Sequence, residues 1–119
     1  MSDIERKHTN ARMSKIVSHG NLVYLCGQTA SGSAHASADI TTQTHETLSR
    51  VDTLLTEAGS DRERILSATI FLRNIGDFAA MNAVYARHVV DPPPARSTVQ
   101  VAALPRNARV EIDVIAVIE

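Results

Sequence analysis

The 119-residue sequence predicts an α+β fold, a single mixed β-sheet with two helices packed on one face. Three observations lead there. Candidate elements follow one another as strands, helix, strand, helix and two strands. Each helical segment carries a single apolar stripe, so it has one side to bury. Hydrophobic residues make up 44% of the chain while aromatics make up 3%, so Val, Ile, Leu and Ala must build the core. The chain is long enough for one such core without disulfides or metal and too short for two, so residues 1–119 read as a single domain. With both helices on one side, the other sheet face lacks a cover, and self-association through it is the economical solution.

Lys15-Ile16-Val17-Ser18-His19 and the run from Asn21 to Cys26 flank Gly20, and Gly-Asn suits a tight turn, which predicts an opening hairpin. Residues 30–38, Ala-Ser-Gly-Ser-Ala-His-Ala-Ser-Ala, are too small and polar to pack a core and read as a surface loop or a mobile lid. Asp39 then caps a helix whose Ile40, Thr44, Leu48, Val51, Leu55 and Ala58 recur at three- and four-residue steps until Gly59 ends it. Residues 65–72 alternate as a strand, with Leu66, Ala68, Ile70 and Leu72 on one face and Ile65, Ser67, Thr69 and Phe71 on the other. A second helix over 77–89 presents Phe78, Met81, Val84, Tyr85 and His88 at helical spacing, with Phe78 and Tyr85 expected in the core. Pro92-Pro93-Pro94 forbids its continuation. Two strands, 96–103 and 109–118, close the chain through Leu104-Pro105-Arg106-Asn107.

Composition excludes several function classes. A formal net charge of −1 and the scarcity of aromatics argue against nucleic-acid binding, which calls for a basic face and stacking platforms. No apolar run is long enough to span a bilayer, and the first residues mix charges where a signal peptide needs an apolar stretch. Cys26 is the only cysteine, which fits a reducing compartment, and a cytoplasmic location is expected. The five histidines lack metal-ligand spacing and no phosphate-cradling glycine loop appears, so neither metal nor cofactor is expected.

Arg96, in Pro94-Ala95-Arg96-Ser97-Thr98-Val99, offers a planar guanidinium that grips a carboxylate through two parallel hydrogen bonds. Glu111 stands in the Val- and Ile-rich last strand, where a half-buried carboxylate can orient water or accept its proton. Asp113 shares its face, and alternation alone does not choose between them. If the last two strands closed a tight hairpin at 105–107, Glu111 would lie opposite Val101, about five residues or ~17 Å from Arg96. A site using both would then draw them from different subunits or need another register. Cys26-Gly27-Gln28 ends an early strand, where glycine lets backbone approach a ligand. No His-Asp pair is recognisable beside Cys26, which reads as a buried structural thiol.

The run from Pro94 to Val101, Leu104-Pro105 and Val110-Glu111-Ile112 together resemble the signature of the RidA (YjgF) family. Leu25-Cys26-Gly27-Gln28 resembles its hydroxyl-Gly-Gln element, and the run from Asp77 to Tyr85 its second helix. The resemblance implies a chorismate-mutase-like fold and a homotrimer with sites between subunits. It also implies hydrolytic deamination of small enamine and imine acids without a cofactor. It selects Glu111 to position water and Arg96 to hold the substrate carboxylate. Cys26, Gly27, Gln28, Asn82, Thr98 and Met13 become substrate-binding positions. Cys26 stands where better-known deaminases carry serine, and Met13 where an aromatic hydroxyl often faces the ligand, which marks a divergent subgroup. The rival reading is a non-catalytic protein of the same fold that binds a small carboxylate or a partner through Arg96.

Overall fold

A computed structural model describes residues 3–118. Six strands form one sheet: β1 (Glu5–Thr9), β2 (Ser14–His19), β3 (Leu22–Leu25), β4 (Ile65–Leu72), β5 (Ala95–Gln100) and β6 (Val110–Val117). Two α-helices, α1 (Ile40–Glu57) and α2 (Phe78–His88), and three single-turn 3-10 helices, at Arg62–Arg64, Ile75–Asp77 and Pro105–Asn107, complete the regular structure of the described residues. The spatial order is β1-β2-β3-β6-β4-β5. Only β4 and β5 run parallel, because α2 carries the chain back between them, whereas every other neighbouring pair is antiparallel.

The opening hairpin forms as expected, with Gly20 in the left-handed conformation (φ 62°) at its turn. Asp39 caps α1 by accepting the Thr42 N–H at 2.9 Å. One face of the helix buries Thr44, Leu48, Val51 and Leu55, joined by Gln43, Thr47 and Leu54, which the apolar stripe did not single out. These pack with Met81, Val84 and Tyr85 of α2 against Ala68, Ile70, Leu72, Val110, Ile112 and Val114 of the sheet. A fully buried leucine or isoleucine of this kind contributes about 1.5–3 kcal/mol. Both helices therefore cover one sheet face.

The structure departs from the sequence reading in four places. β1, Glu-Arg-Lys-His-Thr, was not anticipated, because a fully exposed polar strand has no alternation to read; it is held by its pairing with β2 and by bonds from Lys7 and His8 to Glu57 of α1. β5 and β6 do not form a hairpin, because β4 lies between them. Leu66 is 48% exposed because the β4–β6 register shifts between Ile65 and Ser67, turning Ile65 towards the core instead. Phe78 lies at 38% exposure, outside the core.

The opposite sheet face carries Tyr24, Thr69, Phe71, Val99, Glu111, Asp113 and Ile115, and no helix among the described residues lies over it. Tyr24 and Val99 are 44% and 43% exposed there.

Candidate functional site

Strand register places the two principal candidates. Arg96 lies beside Ala68 of β4, and Ala68 pairs with Val114 of β6. Glu111 pairs with Phe71, which lies beside Val99. Arg96 and Glu111 are thus two strands apart and offset by three positions, roughly 10 Å in each direction. Three is odd, so they point to opposite faces of the sheet. Arg96 is on the helix-covered side at the sheet edge and Glu111 on the open side. Within one chain they do not meet.

Arg96 is held by α2. Its guanidinium donates to Asn82 Oδ1 at 2.6 Å and stacks over the Tyr85 ring at 4.8 Å, with the Phe78 ring at 5.6 Å. Phe78, Asn82 and Tyr85 are spaced i, i+4, i+7 and so share one helix face. This arrangement fixes the plane of the guanidinium while leaving most of its five donors uncommitted. Thr98, two residues on and on the same face, has a buried hydroxyl without a hydrogen-bond partner. Tyr85 was read from sequence as core alone, since helical spacing does not distinguish an apolar contact from a platform for a cation.

Glu111 sits against Gly27. A Cβ built on Gly27 would lie 2.3 Å from Glu111 Oε2, so only glycine leaves the carboxylate where it is. The chain makes this room with a bulge. Tyr24 pairs with Ile115 and Gln28 with Ile112, four steps on one strand against three on the other. The Gln28 backbone exchanges hydrogen bonds with Ile112 at 2.8 and 3.0 Å. Its buried side chain folds back, donating to Cys26 O at 3.3 Å and Cys26 Sγ at 3.2 Å. Gln28 therefore braces the bulge. Gly27→Ala is expected to push the whole Glu111 side chain aside, since its Cδ and Cγ would also lie at 2.7 and 2.9 Å from the added Cβ. It should lower any activity that depends on this carboxylate more than ten-fold, with only a small fall in melting temperature because side chain and not backbone is displaced. Parallel kinetics and thermal unfolding would check this.

Burial raises the pKa of Glu111, and neighbouring Asp113 adds to the rise. Asp113 is raised by burial too, but a hydrogen bond from Thr69 opposes the shift. Glu111 lies against Gly27 and nothing opposes the rise of its pKa, whereas Thr69 opposes that of Asp113, and this separates two carboxylates that alternation left equivalent. Burial also raises the pKa of the Cys26 thiol, which favours its protonated form, although the residue is half-buried and not the fully buried thiol expected. Met13 lies in the β1–β2 turn, 39% exposed, its N–H donating to Asn10 Oδ1 at 3.0 Å, and no contact ties it to either cluster.

The loop over residues 30–38 is tethered at both ends. Arg50 donates to Thr29 O at 2.9 Å and Ser31 O at 2.8 Å, and Gln43 to Ala36 O at 3.3 Å and Ala38 O at 2.8 Å. Those anchors, distant in sequence, left no local signal. Among the described residues no cluster of His, Cys, Asp and Glu could hold a metal ion, and no helix is long and apolar enough to cross a membrane.

The model of one family, endoribonuclease L-PSP, matches residues 4–118. Protein DfrA of Myxococcus xanthus is 40% identical over 85% of this chain and 79% of its own length. A 2-iminobutanoate/2-iminopropanoate deaminase of Dermatophagoides farinae is 38% identical over 89% of this chain and 85% of its own. Among solved structures, a YjgF-family protein of Neisseria meningitidis superimposes with a TM-score of 0.90 at 34% identity, covering 98% of this chain and 96% of that one.

Proposed function

The chain belongs to the endoribonuclease L-PSP family, the family of RidA and YjgF, and from that premise we propose that it hydrolyses reactive 2-enamine and 2-imine acids to 2-oxo acids and ammonia. The observation that carries this reading is the pair of half-sites on opposite sheet faces. One is a guanidinium fixed on Asn82 and Tyr85, and the other a carboxylate set over Gly27 without an internal partner. Each half supplies what the other lacks, and a neighbouring subunit brings them together. The proposed assembly is a homotrimer joined through the open sheet face.

In the cleft so formed, Arg96 holds the substrate carboxylate through two parallel hydrogen bonds, and Asn82 and Thr98 support that half. The enamine tautomerises to the imine, whose carbon is electrophilic. Glu111 takes a proton from water as its oxygen bonds to that carbon, while Gly27 supplies backbone close to the nitrogen. That proton passes to nitrogen to give a carbinolamine; its hydroxyl proton then follows onto the amine through Glu111 as the C=O bond forms and the C–N bond breaks, and ammonia and the 2-oxo acid leave. The imine supplies the reactive centre, so no cofactor enters. A cytoplasmic location is part of the proposal, supported by a single cysteine that has no partner for an internal disulfide.

Turnover of freshly generated 2-imino acids of several side-chain lengths tests the reaction. Tight binding of such acids without turnover would favour a carboxylate-binding protein instead. Mixed subunits test the shared site. Arg96→Lys and Glu111→Gln chains, each inactive alone, are co-refolded in equal amounts. Cleft composition then predicts recovery of about a quarter of normal activity. No recovery in trimers proven to be mixed would rule out a site shared in this way.

A further inference from the structure

A second cluster lies at the end of the sheet where β4 stops and β6 begins, and it takes no part in the deamination scheme. Arg73, Arg106 and Arg109 line one hollow of about 130 Å³ together with Ser37, Gln43 and Asn107. None of the three arginines is ion-paired among the described residues. The nearby carboxylate of Asp39 is already engaged by the Thr42 backbone N–H, and its pKa is lowered first by that bond and only last by Arg109.

Two of the guanidinium groups are held in place by the fold. Arg73 donates to Asn107 O at 2.8 Å and Asn107 Oδ1 at 2.6 Å. Arg109 donates through Nε to Ala38 O at 3.1 Å, while its backbone N–H donates to Gln43 Oε1 at 3.0 Å. Gln43, 1% exposed, also holds the Ala38 carbonyl, so loop, helix and strand are locked around the hollow. These bonds leave both arginines with further donors. Arg106 adopts a left-handed backbone conformation (φ 55°), as does Asn107 (φ 59°). Glycine would adopt this conformation at position 106 without the steric penalty that a side chain carries. The strain falls on a residue whose side chain lines the hollow.

We propose that this hollow binds the terminal phosphate of a small phosphorylated metabolite. Three cations without a paired acid call for a multiply charged anion. A carboxylate presents one planar edge, which a single arginine satisfies, whereas a phosphate monoester offers oxygens in three directions and a charge near −2. The hollow admits one such head group, and no aromatic side chain lines it to stack a base, which argues against a nucleic-acid strand.

The test uses the assembled protein and inorganic phosphate at constant ionic strength, followed by calorimetry and thermal unfolding. Expected are saturable binding of one ion per chain and a phosphate-dependent rise in melting temperature. Arg106→Gly should weaken binding at least ~10-fold while keeping or raising the phosphate-free melting temperature, since it removes the left-handed strain. Arg73→Gln should weaken binding similarly, and Arg96→Lys should not. Failure to saturate, or equal affinity in both hollow variants, would overturn the proposal. An oligoribonucleotide lacking a terminal phosphate that displaces the ion would also overturn it, in favour of a polymer backbone. The outcome is independent of imine turnover, which is measured separately.

Discussion

Arg96→Lys is expected to be nearly as inactive as Arg96→Ala, with a loss of at least ~100-fold in kcat/KM, the scale of misplacing a reactant by about an ångström. Charge is conserved in the substitution, so a purely electrostatic role would survive it. Geometry is not conserved. Arg96 spends one edge on Asn82 Oδ1 and lies over the Tyr85 ring, which sets the plane of the remaining donors. A lysine ammonium has no plane to set and cannot offer two parallel donors. Stability should change little, by no more than about 1–2 kcal/mol, because lysine retains part of the attraction to Tyr85. The neutral amide of the same substrate should be a poor substrate for the unmodified protein. Steady-state kinetics on both would decide. Substantial activity in Arg96→Lys, or indifference to neutralising the substrate, would contradict the clamp and put the binding-protein reading first.

Much of this architecture was legible in the residues because burial leaves periodicity behind. α1 and α2 appear at helical spacing, and β4 and β6 alternate because one of their faces meets those helices. β1 was not legible, since nothing in Glu5–Thr9 is buried and what holds it, pairing with β2 and bonds from Lys7 and His8 to Glu57, is distant in sequence or local to its partner. Neither was the place of β5. Its own residues do not say which neighbour it joins, and the crossover through α2 sets it parallel to β4. Arg96 and Glu111 stood out by residue type and motif, yet their opposite faces follow from the registers of β4 with both neighbours. The bulge at Cys26-Gly27 likewise depends on counting residues across two strands. The three-arginine hollow draws Arg73 from just past the end of β4 and Arg106 and Arg109 from the turn that leads into β6, a juxtaposition only the folded sheet creates.

Glu111→Gln is expected to divide activity from stability in a way no purely structural residue would. Removing the proton acceptor should lower kcat about 100- to 10,000-fold while KM changes little, since the carboxylate clamp belongs to the other half-site. Stability should move the opposite way at neutral pH. Burial, and then the charge of Asp113, raises the folded-state pKa of Glu111 above its ordinary value. The folded state therefore binds this proton more tightly than the unfolded chain does. The resulting stabilisation is complete below the unfolded pKa and is lost as pH rises through the folded one. Above that point the unmodified protein carries a charge in a poorly solvated position, and glutamine does not. The variant should thus unfold at a higher temperature at neutral pH, and the advantage should vanish in acid. The same raised pKa predicts that kcat/KM of the unmodified protein falls on the acid side at a higher pH than an ordinary glutamate would give, as one proton is taken up. Asp113→Asn is the control. Thr69 opposes the rise of its pKa, and Glu111 rather than Asp113 is the carboxylate set against Gly27, so loss of Asp113 should cost less activity. A greater loss in Asp113→Asn than in Glu111→Gln would exchange the roles of the two carboxylates. A flat acid limb would remove the general base from the mechanism altogether.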